Sequence, residues 1–161
     1  MRFLALFVFA FLTACAPPTF KVTDYGTPEE WAPYKAGGQG VLEGQAFLRQ
    51  QGGGVVTCAG SEVVIFPATP STRRIVARAR SEGAMFDVSG APSYTGGGQK
   101  SVCDAQGNFR FQGLAAGPWF VTTLVVWMVG YYQQGGWLLQ EVNVSSSGIS
   151  KAFLTEGALV R

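Results

Sequence analysis

The chain has 161 residues, 47% hydrophobic and 14% charged, with three cysteines and no histidine. Zero histidine removes Ser-His and Cys-His nucleophilic catalysis, imidazole acid–base chemistry and most zinc sites. The formal net charge is +2, and removing Arg2 with a cleaved leader leaves +1, so there is no electrostatic case for a nucleic-acid partner.

The chain begins MRFLALFVFAFLTAC, one arginine followed by an unbroken apolar run from Phe3 to Leu12 and then small residues. That is the layout of a secretory signal, and the run is about half of the roughly 20 residues a transmembrane helix needs. Leu12-Thr13-Ala14-Cys15 resembles the lipobox of bacterial lipoproteins. The resemblance implies cleavage of a signal peptide at 1–14, acylation of Cys15, and a membrane partner through the lipid anchor. An ordinary secretory signal with an incidental cysteine is the competing reading. Ala16 follows the cysteine where Asp would imply inner-membrane retention, which points to the outer membrane, facing the periplasm. Lipidation of Cys15 leaves Cys58 and Cys103 as a pair in a compartment where disulfides persist, with two buried free thiols as the alternative.

Residues 15–40 contain four prolines and the Gly37-Gly38-Gln39-Gly40 stretch without sustained periodicity, which predicts an acylated, flexible tether. Phe20, Tyr25, Trp31 and Tyr34 offer a means of docking part of it. The domain is expected over 41–161, a length that suits a single core. Short runs rich in Val, Phe, Trp and Thr between glycine breaks predict strands at 41–49, 54–58, 62–67, 99–104, 107–113, 118–129, 136–144 and 149–155. Seven or so such strands predict an all-β antiparallel sandwich. Phe109 and Phe111 alternate with polar neighbours, whereas 118–129 is apolar on both faces, as a covered central strand should be. Asp104-Ala105-Gln106-Gly107 predicts a tight hairpin turn. Ser71-Thr72 followed by RRIVARAR and Gly83 predicts one short helix, with a strand at 75–80 as its competitor.

The segments GVLEGQAFLR, TCAGSEVVIFPAT and DAQGNFRFQGLAAGPWFV resemble the carboxypeptidase regulatory-like domain, a transthyretin-like β-sandwich. Its hairpin pattern is matched by Asp104, Gly107, Phe109, Phe111, Leu114, Gly117, Trp119 and Val121. The resemblance covers about 41–126 and implies a fold without implying chemistry. Cys58, Cys103 and the glycine-rich 83–99 loop depart from it.

Catalysis finds no purchase elsewhere. No lysine has a serine three residues before it, the carboxylates form no nominated pair, and Asp104 alone is too few oxygens for calcium. We therefore expect no enzyme activity, no cofactor and no metal centre. Trp127, Tyr131, Tyr132 and Trp137 crowd around Gln133-Gln134-Gly135-Gly136, read as a hairpin tip able to stack a sugar or a partner side chain. Against this stands a packing reading, with both tryptophans as cross-strand core. The sequence favours a non-catalytic, membrane-anchored envelope module with a protein-interaction or structural role, its partner an envelope protein, or alternatively a carbohydrate-binding module that uses the aromatic hairpin on a glycan.

Overall fold

The computed structural model describes residues 18–161; the leader and Cys15 lie outside them. Two sheets face each other. In the first, β2 (Gly40–Arg49) runs centrally, with β10 (Ile149–Leu154) parallel along one edge. Along its other edge lie β7 (Asn108–Leu114) and β3 (Val55–Thr57), both antiparallel. The second sheet has the order β6 (Gln99–Val102), β4 (Glu62–Pro67), β8 (Gly117–Val129) and β9 (Tyr132–Val144).

Period-2 alternation builds the core between them. Leu42 and Ala46 of β2, Phe109 and Phe111 of β7, and Ala152 and Leu154 of β10 point inward onto Ile65, Trp119, Val121 and Leu138 of the second sheet. Trp119 is buried with its indole N–H donating to the Ala115 carbonyl at 2.9 Å, so its one polar atom is satisfied. Gly44 is needed for contact rather than flexibility. A Cβ there would sit 2.3 Å from the Phe109 ring and 2.8 Å from the Ala152 carbonyl oxygen.

All eight expected strands are present and the all-β sandwich is as expected, except that β10 runs parallel to β2 where antiparallel pairing was expected. Two further three-residue strands, β1 (Thr19–Lys21) and β5 (Met85–Asp87), form a separate parallel pair. β8 carries the two apolar faces its sequence demands: Val121 and Val125 look into the sandwich, and Phe120 looks outward beneath a helix. Beyond Val125 the strand leaves the core, and Met128 and Val129 are exposed. The Asp104–Gly107 turn forms, with Gly107 at φ +80°. It does not join two paired strands, however. It carries the chain from β6 in one sheet to β7 in the other.

The helix over the outer face of the second sheet is Pro70–Glu82, and the competing strand at 75–80 does not form. Thr69 caps it by accepting from the Thr72 N–H at 3.2 Å, Pro70 occupies the first turn, and Gly83 ends it at φ +59°. Its arginines are spent on docking. Arg73 pairs with Glu141, Arg74 with Asp24 at 3.0 Å, and Arg80 donates to the Leu139 carbonyl at 2.9 Å, while Arg78 lies 4.1 Å over the Phe20 ring.

Residues 18–40 are folded against the domain rather than extended as a tether. A second helix, Pro28–Lys35, starts with proline and two glutamates in its first turn. Trp31 is buried and donates to the Tyr25 carbonyl at 2.8 Å, and Tyr34 packs edge-on against Trp119 at 5.1 Å. Ser71 closes the seam, its N–H donating to Glu30 and its hydroxyl to the Tyr25 carbonyl, both at 3.0 Å. The docking that the aromatics allowed is therefore realised for this part of the segment.

Cys58 and Cys103 are joined, with Cα atoms 5.7 Å apart. Cys58 follows β3 in one sheet and Cys103 follows β6 in the other, so the bridge staples the two layers.

Candidate functional site

The four aromatics nominated from sequence do not make one surface. The hairpin turns at Gly130-Tyr131 and not at 133–136, because Val129 already pairs with Tyr132. Gly130 has φ +58° and Tyr131 does not share the positive φ, the pattern of a two-residue II′ turn. Trp127 pairs with Gln134 and is half-buried against the core; Trp137 pairs with Leu124 on the opposite face. The tryptophans are thus neither cross-strand partners nor neighbours of one platform. Tyr131 and Tyr132 are 98% and 76% exposed, so they close no core either.

The structure places a different cleft, of about 580 Å³, on the outer face of the first sheet. Its floor follows directly from strand register. Lys151, Glu43 and Arg110 align in one row across β10, β2 and β7, and Phe153, Gln45 and Asn108 in the next. All lie on the face opposite the core, since Leu42, Ala46, Phe109 and Leu154 take the inward positions. Glu43 is paired with both Arg110 and Lys151. The Lys151 ammonium first, and then Arg110, hold its carboxyl below the usual glutamate range.

One wall is the Asp104 turn. The Asp104 carboxylate accepts from the Asn108 side chain at 3.0 Å and from the backbone N–H groups of Asn108 and Gln106 at 2.8 and 2.9 Å. The Asn108 side chain first, then these backbone donors, lower its pKa. Gln45 is oriented by donating to the Gln106 carbonyl at 2.9 Å. Phe153 is the exception in this polar floor, 61% exposed beside Gln45. Single exposed apolar residues are common on proteins, so the weight lies in the arrangement. An exposed ring flanked by amides, carboxylates and cations in fixed rows offers a stacking plane beside directional hydrogen bonding. Two carboxylates and two cations line the cleft, which leaves it without net formal charge. Among the described residues, no group of three or more Cys, Asp or Glu side chains is placed to hold a metal.

Sequence reasoning missed this face. Its signal was the alternation of Ile149, Lys151 and Phe153 against Ser150, Ala152 and Leu154, which does not reveal which set is buried.

The architecture defines a class first, a mainly β module of two facing sheets with one polar, solvated outer face. The particular likeness is to the crystal structure of a candidate carbohydrate-binding protein from Pseudomonas aeruginosa. It has a TM-score of 0.67 at 21% identity, over 83% of this chain and 99% of that one. At that identity the similarity concerns the fold. No family model matches the chain, and no curated protein matches it.

Proposed function

We propose that this protein is a non-catalytic, lipid-anchored envelope module that binds glycan on the outer face of its first sheet. The observation that carries the reading is the pairing of exposed Phe153 with the Gln45–Asn108 and Glu43–Arg110–Lys151 rows. A sugar ring presents an apolar C–H face and a polar edge, and this floor supplies a partner for each. The balanced charge of the cleft favours neutral saccharides. The carbohydrate-binding description of the Pseudomonas aeruginosa protein supports the same direction. Glu43 and Asp104 are both held below the usual carboxylate range, which supports a binding role over glycoside hydrolysis, whose general acid needs a raised pKa.

The carboxypeptidase regulatory-like motifs support an accessory module of that family, and the lipobox at Leu12–Cys15 supports anchoring at Cys15 in the outer membrane. A second reading, contact with an envelope protein, is favoured by one observation: Met128, Val129, Tyr131 and Tyr132 are all exposed at the hairpin end.

An array of neutral and charged bacterial envelope glycans, probed with the acylated protein, tests the binding reading. Saturable binding to a neutral saccharide is expected, and binding to none of the glycans contradicts it. Fractionation tests the anchor: Cys15→Ser should leave the membrane pellet, and retention there with the leader removed contradicts lipidation.

A further inference from the structure

The first described residue is already held by the domain. The Pro18 carbonyl accepts from the Met85 N–H at 3.0 Å, β1 pairs with β5 immediately after it, and the Val22 N–H closes the ladder on the Asp87 carbonyl at 3.1 Å. Only Ala16 and Pro17 separate that point from Cys15. Three Cα steps cover at most about 11 Å in any conformation. An acyl group on Cys15 would therefore hold the domain against the membrane, with no spacer to lift it clear.

The side of the molecule nearest that link follows from packing. Phe20 of β1 lies against Phe86 of β5 with ring centroids 6.4 Å apart, and Phe86 lies edge-on to Phe66 of β4 at 5.8 Å. These contacts stack the β1–β5 pair on the outer face of the second sheet, where Arg78 of the Pro70–Glu82 helix covers the Phe20 ring. The outer face of the first sheet is on the opposite side, two sheet spacings or on the order of 20 Å away.

The surface around β1 carries both signs of charge. Lys21, Arg74 and Arg78 line a shallow recess together with Asp24 and the Phe20 ring. Arg74 pairs with Asp24 at 3.0 Å, Arg78 pairs with Glu82 at 2.8 Å, and Asp87 stands beside Lys21. Three cations thus face out among three carboxylates. A phosphatidylethanolamine headgroup presents a phosphate and an ammonium side by side, so this surface offers a partner for each.

We propose that the face formed by β1 and the Pro70–Glu82 helix is a membrane contact, lying on phospholipid headgroups and turning the outer face of the first sheet away from the bilayer. This orientation rests on acylation of Cys15, and it narrows the glycan ligand to one carried outside the anchoring membrane.

Gly90→Cys and Val55→Cys each place one free thiol, because Cys58 and Cys103 are bridged and Cys15 is acylated. Gly90 lies next to Lys21, whose side chain a Cβ there would meet at 4.0 Å, whereas Val55 pairs with Arg49 and is exposed on the outer face of the first sheet. Each acylated full-length variant, labelled there with bimane, is reconstituted into vesicles of phosphatidylethanolamine and phosphatidylglycerol, with and without a nitroxide quencher on the headgroups. The label at position 90 should lose most of its fluorescence to the quencher, and the label at position 55 should keep nearly all of it. Equal quenching at the two positions, stronger quenching at 55, or none at 90 would overturn the orientation. Mass spectrometry of the Cys15 peptide from the same vesicles reads the anchor separately. An unmodified Cys15 overturns the anchor and the orientation together, whereas an acylated Cys15 with the wrong quenching order overturns the orientation alone.

Discussion

Removing the Cys58–Cys103 bridge is the perturbation whose size the structure fixes best. The two cysteines are 45 residues apart, and in the chain-entropy model a loop of that length stabilises the fold by about 4 kcal/mol. Both sulfurs sit in the core, with Cys58 at 1% and Cys103 at 4% exposure, so reduced thiols would remain buried at little extra desolvation cost. The loss should therefore appear almost whole in the unfolded-state term. Urea unfolding of the oxidised protein, the reduced protein and the Cys58→Ala/Cys103→Ala variant would measure it. Reduction should lower the thermal midpoint by roughly 8–16 °C, at about 2–4 °C per kcal/mol for a domain of this size. The alanine variant should fall slightly further because it also removes packing. If reduction costs less than about 1 kcal/mol, the bridge is not constraining the unfolded chain and the reasoning fails.

Gly44→Ala should destabilise by about 1–3 kcal/mol, since its Cβ must displace the Phe109 ring or the β10 backbone; chemical denaturation reads this, and a neutral effect would contradict the packing. Tyr131→Ala/Tyr132→Ala should change stability by no more than about 0.5 kcal/mol given their exposure, and a loss of about 3 kcal/mol by the same assay would return them to the core. The pH profile of the unfolding midpoint should be a plateau between about pH 5 and pH 9, with no histidine to bend it. Below the plateau stability falls, because Asp104, held down chiefly by Asn108, and Glu43, held down chiefly by Lys151, contribute only while ionised; their share is present above the ordinary carboxylate range and lost as pH drops through their lowered pKa values. Above it stability falls again, because burial raises the Tyr25 and Tyr34 phenols, whose contribution is present below the ordinary tyrosine range and lost as pH rises. A step near pH 6.5 would contradict this.

The strands were legible because glycine breaks and apolar alternation act locally, and the disulfide because cysteine chemistry depends on compartment more than on fold. The helix at Pro70–Glu82 was legible for similar reasons, although its cap lies at Thr69, where Pro70 sets the first turn. What escaped was decided at a distance. Residues 18–40 carry no period, and they fold because Trp31 finds a buried site and half-buried Tyr34 packs against Trp119, which no local pattern encodes. The β8–β9 register is set by core pairs such as Trp119 with Val142 and Thr123 with Leu138, and these overrule the stronger-looking glycine pair at 135–136 in placing the turn. The exposure of Phe153 follows from the same kind of choice. In ISKAFL both faces carry apolar side chains, and parallel pairing with β2 puts Ala152 and Leu154 inside.

The glycan reading rests on Phe153, and calorimetric titration of Phe153→Ala beside wild type tests it most directly, using the neutral saccharide that binds best on the array. The account predicts a loss of about tenfold or more in affinity with an unchanged unfolding midpoint, because the side chain is exposed and supports no core. Equal affinity in the two proteins would contradict it, and so would a loss of affinity that tracks a loss of stability.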